Sequence, residues 1–110
     1  MRHEKLEEFI RLFNEQSFFE AHEVLEELWL VTDGEQKLFY QGLIQCAVSL
    51  AHWKKSNSRG ANQVGIRSFS ILEKYGARRD KIQLDELVSD CQGFLSGQRK
   101  EFPTIKTTSD

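Results

Sequence analysis

Phe39-Tyr40-Gln41-Gly42-Leu43-Ile44-Gln45-Cys46-Ala47-Val48-Ser49-Leu50-Ala51-His52-Trp53 is the stretch that decides the fold. Read at helical spacing, Phe39, Leu43, Cys46, Leu50 and Trp53 form one apolar stripe. Tyr40, Ile44, Ala47 and Ala51 form a second stripe beside it. A helix apolar over so much of its circumference belongs at the centre of a bundle. Gln41, Gln45 and His52 share the remaining strip, with Val48 between them and Ser49 close by. Buried amides and imidazoles cost about 1–3 kcal/mol each unless something pairs with them. The strip therefore asks for a partner.

The segment just before it supplies one. Phe18-Phe19-Glu20-Ala21-His22-Glu23-Val24-Leu25-Glu26-Glu27-Leu28-Trp29 reads as a helix over about 18–31. Its apolar face is Phe18, Ala21, Leu25 and Leu28, with Val24 at the edge. Glu20, Glu23 and Glu27 point largely away, and His22, Glu26 and Trp29 line the border. Ser17 with Glu20 has the pattern of a capping box, which accounts for Glu20 without a functional role. Thr32-Asp33-Gly34 is a turn, and Asp33 with Gln36 repeats the capping pattern before the central helix, about 34–55.

Working outward, Leu6, Phe9, Ile10 and Phe13 give a first amphipathic helix near 3–14. Lys54 through Gly60 is a turn in which Ser56, Asn57 or Ser58 caps a fourth helix near 59–75. Gly60, Gly65 and Ser68 are poor helix formers, and their small side chains point to a close helix crossing. Gly76 is a natural helix stop. Residues 77–83 read as a basic loop, Asp85 as the cap of a fifth helix near 85–97, and residues from about 100 as an extended tail with a loose end. Short connections favour antiparallel neighbours. The expected fold is all-α, a single-domain, up-and-down antiparallel bundle of about five helices over residues 1–110 with the third helix buried at its centre.

Composition agrees. At 110 residues and 12.8 kDa the chain can bury a core without disulfides or metal. Eight Phe, two Tyr and two Trp supply that core generously. A net charge of -2 gives no global attraction to nucleic acid or anionic membrane. Cys46 and Cys91 both fall on apolar faces and read as buried free thiols in a reducing compartment, the cytoplasm or plastid stroma. Met1-Arg2-His3-Glu4-Lys5 leads into an amphipathic pattern rather than the apolar run of a signal peptide. No apolar run approaches the roughly 18 residues of a membrane span. No cofactor signature is present. Partners are not legible, and the composition leaves homo-oligomerisation open.

The candidate polar site is His22, Glu23, Glu26, Trp29, Gln41, Gln45 and His52. Three readings stay open: a satisfied buried network fixing helix register, a small polar ligand or acid–base site using His22 or His52 with Glu26, and a divalent metal held by His22, Glu26 and His52. The His22-Glu23-x-x-Glu26 string falls short of the H-E-x-x-H zinc motif, because Glu26 stands where the second imidazole is needed. Antiparallel packing sets Glu26 and Trp29 level with Gln41 and Gln45, and His22 level with Ser49 and His52. It predicts Glu26 within reach to accept a hydrogen bond from Gln45 or His22. Lys54, Lys55 and Arg59 form one basic cluster and Arg78, Arg79 and Lys81 another. Arg59, beside the amides opening the fourth helix, is a candidate anion contact.

Phe19 through Trp29, then Gln41-Gly42-Leu43-Ile44-Gln45, His52, Asn57 and Gly60-Ala61, resemble a family of small helical proteins, domain of unknown function 309. Its His-Glu, Glu and Trp positions correspond to His22, Glu23, Glu26 and Trp29, and its second motif to Gln41, Gly42, Gln45 and His52. The resemblance spans about residues 5–75. It implies an all-helical fold and a polar seam that acts as a unit, and it implies no activity.

Overall fold

The computed structural model describes residues 3–108. Within them run α1 (Glu4–Asn14), α2 (Phe18–Leu30), α3 (Gly34–Lys54), α4 (Ser58–Leu72) and α5 (Leu84–Leu95). A 3-10 turn at Glu73–Tyr75 and a two-stranded ribbon, β1 (Arg78–Arg79) and β2 (Ile82–Gln83), lie between α4 and α5. The chain is an all-α bundle, as the periodicity predicts. α3 buries Phe39, Tyr40, Leu43, Cys46, Ala47 and Leu50, and packs most extensively on α4 and then on α2.

Pairs of contacts fix the helix directions. Lys5 meets Glu27, and Phe13 meets Phe18, so α1 and α2 are antiparallel. Ser68 near the end of α4 donates to the Gly42 carbonyl (2.8 Å), and Ser49 donates to Ala61 near its start (2.6 Å). α3 and α4 are therefore antiparallel too, and the hydroxyls of buried Ser49 and Ser68 are both satisfied across the crossing. The small residues explain how close it is. A Cβ on Gly42 would lie 2.8 Å from Leu72 and 2.9 Å from Ile71 of α4, and one on Gly65 would lie 3.2 Å from the Ser49 hydroxyl oxygen of α3. Gly42 thus has a packing reason to be glycine, independent of any site.

Helix ends differ from the expectation in informative ways. Asn57 does cap α4, its Oδ1 accepting from Gly60 N at 2.9 Å. Ser17 makes no side-chain cap bond, its ψ of 65° departing from extended cap geometry. Asp33 makes none either. Gln36, its expected capping-box partner, is drawn across to the ribbon instead: it donates to Asp80 (2.6 Å) and accepts from Arg79 (2.7 Å). His3 caps α1, its Nδ1 accepting from Lys5 N.

Residues 77–83 are not a plain loop. Arg78 pairs with Gln83 and Arg79 with Ile82, closed by Asp80 and Lys81 at φ 52° and 66°. Two positive φ values in a two-residue loop are the turn that suits strand twist. Asp85 is not the cap of α5: the helix opens at Leu84 behind Gln83, and the Asp85 carboxylate accepts from Glu86 N (2.8 Å). The tail is extended but held as far as Thr108. Gln83 N donates to Lys106 O (2.9 Å) and Thr108 N to Lys81 O (2.8 Å). Asn14 brackets Ile105, donating to its carbonyl (3.0 Å) and accepting from its amide (2.7 Å). Phe102 stacks between Phe18 (5.4 Å) and Phe94 (4.5 Å).

Cys46 and Cys91 are buried free thiols with sulfurs 3.3 Å apart, hydrogen-bonded but not bridged. The Cys46 hydrogen bond, then burial, hold the Cys91 thiol protonated well above its ordinary value of 9.0. An unfolded thiol ionises first, so this contribution to stability is present below pH 9.0 and lost as pH rises beyond it. Neither thiol should react with a chromogenic disulfide reagent in the native protein at neutral pH, and both should react in denaturant. Rapid native labelling of either would contradict the burial.

Candidate functional site

The first turn of α2 and the last two turns of α3 meet at a cleft of ≈170 Å³ lined by Phe19, His22, Val48, Ala51, His52 and Lys55. His22 and His52 thus stand on the same side of the helix pair. This follows from antiparallel packing, which sets the start of α2 against the end of α3. The floor is apolar, Lys55 closes one rim, and both rings are half-buried.

The two imidazoles are in different states of engagement. His22 Nδ1 lies 2.6 Å from the Phe19 carbonyl, which can only accept, so Nδ1 carries the proton and a neutral ring leaves its lone pair on Nε2. The ring also meets Phe19 edge-on, centroids 4.9 Å apart. His52 Nδ1 faces Asn57 Nδ2 at 3.4 Å while Asn57 Oδ1 caps α4. The amide nitrogen can only donate, so His52 Nδ1 accepts and Nε2 carries the hydrogen. The rings that line the cleft therefore carry one free lone pair and one N–H, and Lys55 adds an ammonium at the rim. Lys55 Nζ also stands 5.6 Å from the Phe19 ring centre, a cation over a half-exposed aromatic.

The remaining predicted residues do not join this group. Glu23 and Glu26 are exposed. Glu26 takes no hydrogen bond from Gln45 or His22: the rotation of α2 in the bundle leaves it in water, and the His22 Nδ1 is engaged by the Phe19 carbonyl. Glu26→Ala should therefore change the unfolding free energy by no more than about 0.5 kcal/mol. A loss of 1–3 kcal/mol in urea denaturation, the magnitude expected of a buried network, would contradict this placement. Trp29, Gln41 and Gln45 sit toward the other end of the seam and are half-buried. Trp29 Nε1 and Gln45 Oε1 are buried without a hydrogen-bond partner among the described residues, and Lys37 Nζ lies 4.3 Å over the Trp29 ring. Arg59 is exposed and lines no part of the cleft, and the Gly60 amide beside it is taken by Asn57.

Three of the described His/Cys/Asp/Glu side chains nowhere gather closely enough to hold a metal ion. His22 and His52 would offer two imidazoles, and Glu26 does not complete the set. Sequence reading missed Phe19, Val48, Ala51 and Lys55 as cleft residues. Their signal was present: Phe19 precedes His22 by three, and Val48, Ala51, His52 and Lys55 follow at helical spacing on one face.

The family described as domain of unknown function, DUF309, matches residues 6–64, more than half of the chain. The chain belongs to DUF309. The match takes in α1 from Leu6 onward, α2, α3 and the first half of α4, and with them the whole cleft. The uncharacterised protein YpuF of Bacillus subtilis (strain 168) is 34% identical over 71 residues, covering 64% of this chain and 41% of YpuF. An uncharacterised protein of Aquifex aeolicus (strain VF5) is 43% identical over 63 residues, covering 56% of this chain and 19% of its own length. The chain thus spans less than half the length of either relative. No DUF309 activity is given by these likenesses. Among the described residues no helix is long and apolar enough to cross a membrane.

Proposed function

We propose that this DUF309 chain is a helical interaction module whose cleft between α2 and α3 receives a carboxylate carried on a short apolar stem from a protein partner. One observation carries the reading: both imidazoles and Lys55 border one small apolar cleft, with no carboxylate among its lining residues. His52 Nε2–H and the Lys55 ammonium are donors suited to a carboxylate, and Phe19, Val48 and Ala51 suit its stem. The volume of ≈170 Å³ lies below the roughly 300 Å³ at which small-molecule sites begin, which favours a single side chain or chain terminus over a metabolite. An acid–base reading centred on His22 and Glu26 has less support, since the two are not hydrogen-bonded. Two unbridged thiols fit a reducing compartment such as the cytoplasm.

The test is an NMR titration of the histidine side-chain nitrogens with propionate, and with propylamine as the charge-reversed control. Propionate should shift the His22 and His52 resonances saturably with a Kd of about millimolar or weaker, the range open to so few atoms. The response should vanish in His52→Ala and weaken in Lys55→Gln. Equal responses to the amine and the acid, or none to either, would refute the proposal.

A further inference from the structure

A second cleft, larger than the first, lies between the C-terminal end of α4 and the start of α5. It has a volume of ≈330 Å³ and is lined by Leu72, Gly76, Leu84, Val88 and the polar rim Glu73, Asp85, Ser89 and Gln92. Its floor is buried and apolar: Leu72, Leu84 and Val88 are at most 7% exposed. The residues of the rim are exposed, and its only charges are negative. A Cβ built on Gly76 meets nothing within 4 Å, so the approach past this glycine is open.

Charge at this cleft is left uncompensated, and the rest of α5 shows the contrast. Glu86 pairs with Lys106 (2.8 Å) and Asp90 with Arg99 (3.2 Å). Among the described residues neither Glu73 nor Asp85 has a cation within salt-bridge distance. The start of α5 does not offset them with an anion site either. Leu84 N and Asp85 N donate to the Ala77 carbonyl, and Glu86 N donates to Asp85 Oδ1. The first amides of the helix are therefore occupied, and what faces the cleft is carboxylate. An apolar floor under an unpaired acidic rim suits a cation with a hydrocarbon body, its stem on the leucines and its charge among the carboxylates. The volume lies at the lower end of the range of small-molecule sites, about 300–1,000 Å³.

We propose that the cleft between the end of α4 and α5 binds a small organic cation, an alkylammonium or alkylguanidinium, with its charge between Glu73 and Asp85 and its stem on Leu72, Leu84 and Val88. This site is separate from the His22–His52 cleft, and the two carry opposite charge preference.

The experiment is a backbone-amide NMR titration of the 110-residue chain with butylamine, butylguanidine and butyrate. Both cations should shift the amides of Gly76, Asp85 and Ser89 saturably, leave those of His22 and His52 unmoved, and lose affinity as salt is added. Glu73→Gln and Asp85→Asn should each weaken binding about two- to fivefold. Both side chains are exposed, and the Asn side chain still accepts from Glu86 N, so the fold is retained. No response to either cation, an equal response to butyrate, or unchanged affinity in both variants overturns the proposal. Tighter binding of Nα-acetyl-lysinamide than of butylamine overturns the free-ligand assignment in favour of a partner's basic side chain.

Discussion

Phe39→Ala should lower the unfolding free energy by about 3–5 kcal/mol, read as a drop in the guanidinium midpoint. Phe39 is 0% exposed and sits where α3 meets the region after α4. Its ring packs against Tyr40 (5.8 Å) and Tyr75 (5.6 Å), and the Arg79 guanidinium lies 5.2 Å from its centre. Truncation removes buried area and leaves a cavity that neighbours on two helices cannot collapse to fill. It also strips one face from Arg79, which lies 4.7 Å from Tyr75 and donates to Gln36. The ribbon should therefore loosen along with the core, visible as faster hydrogen exchange at Ile82. Phe39→Leu keeps most of the volume and should cost markedly less. A loss under 1 kcal/mol for the alanine variant would mean that α3 is not the centre of the bundle.

Ile105→Ala should cost about 2–5 kcal/mol by the same measurement, although the sequence places it in a tail. Ile105 is 3% exposed, and both of its backbone polar groups are held by Asn14. Next to it, Pro103 is buried and Phe102 covers Phe18 and Phe94. The segment therefore closes the end of the bundle over Phe18 of α2 and Phe94 of α5 and is tied to α1 through Asn14. A surface-like loss of about 0.5 kcal/mol or less would show that the tail is merely laid on the bundle.

Much of the fold is legible in the residues because helical periodicity is a local signal. Phe39, Leu43, Cys46 and Leu50 identify a central helix from their spacing alone, and Gly65 with Ser68 announces the close crossing that the structure contains. Asn57 reads as a cap because capping is also local. The ribbon was less legible. Asp80-Lys81 lacks the Asn-Gly or Asp-Gly signature of its turn, and each strand has two residues, too few to show alternation. Gln36 looked like part of a cap because nothing in the sequence shows that Arg79 and Asp80 approach it from 43 and 44 residues away.

The candidate site divides along the same line. The sequence by itself determined that His22 and His52 lie on facing strips of adjacent antiparallel helices, since helical phase and a short turn suffice for that. Only the tertiary structure decided that the two rings share a cleft with Phe19 and Lys55, while Glu26 stays in water. A border position on a helical wheel is compatible with either side of the interface. Which side it takes depends on the rotation of each helix about its axis, set by core packing such as the approach of α4 to Gly42. That rotation is a property of the whole bundle, and no local pattern encodes it.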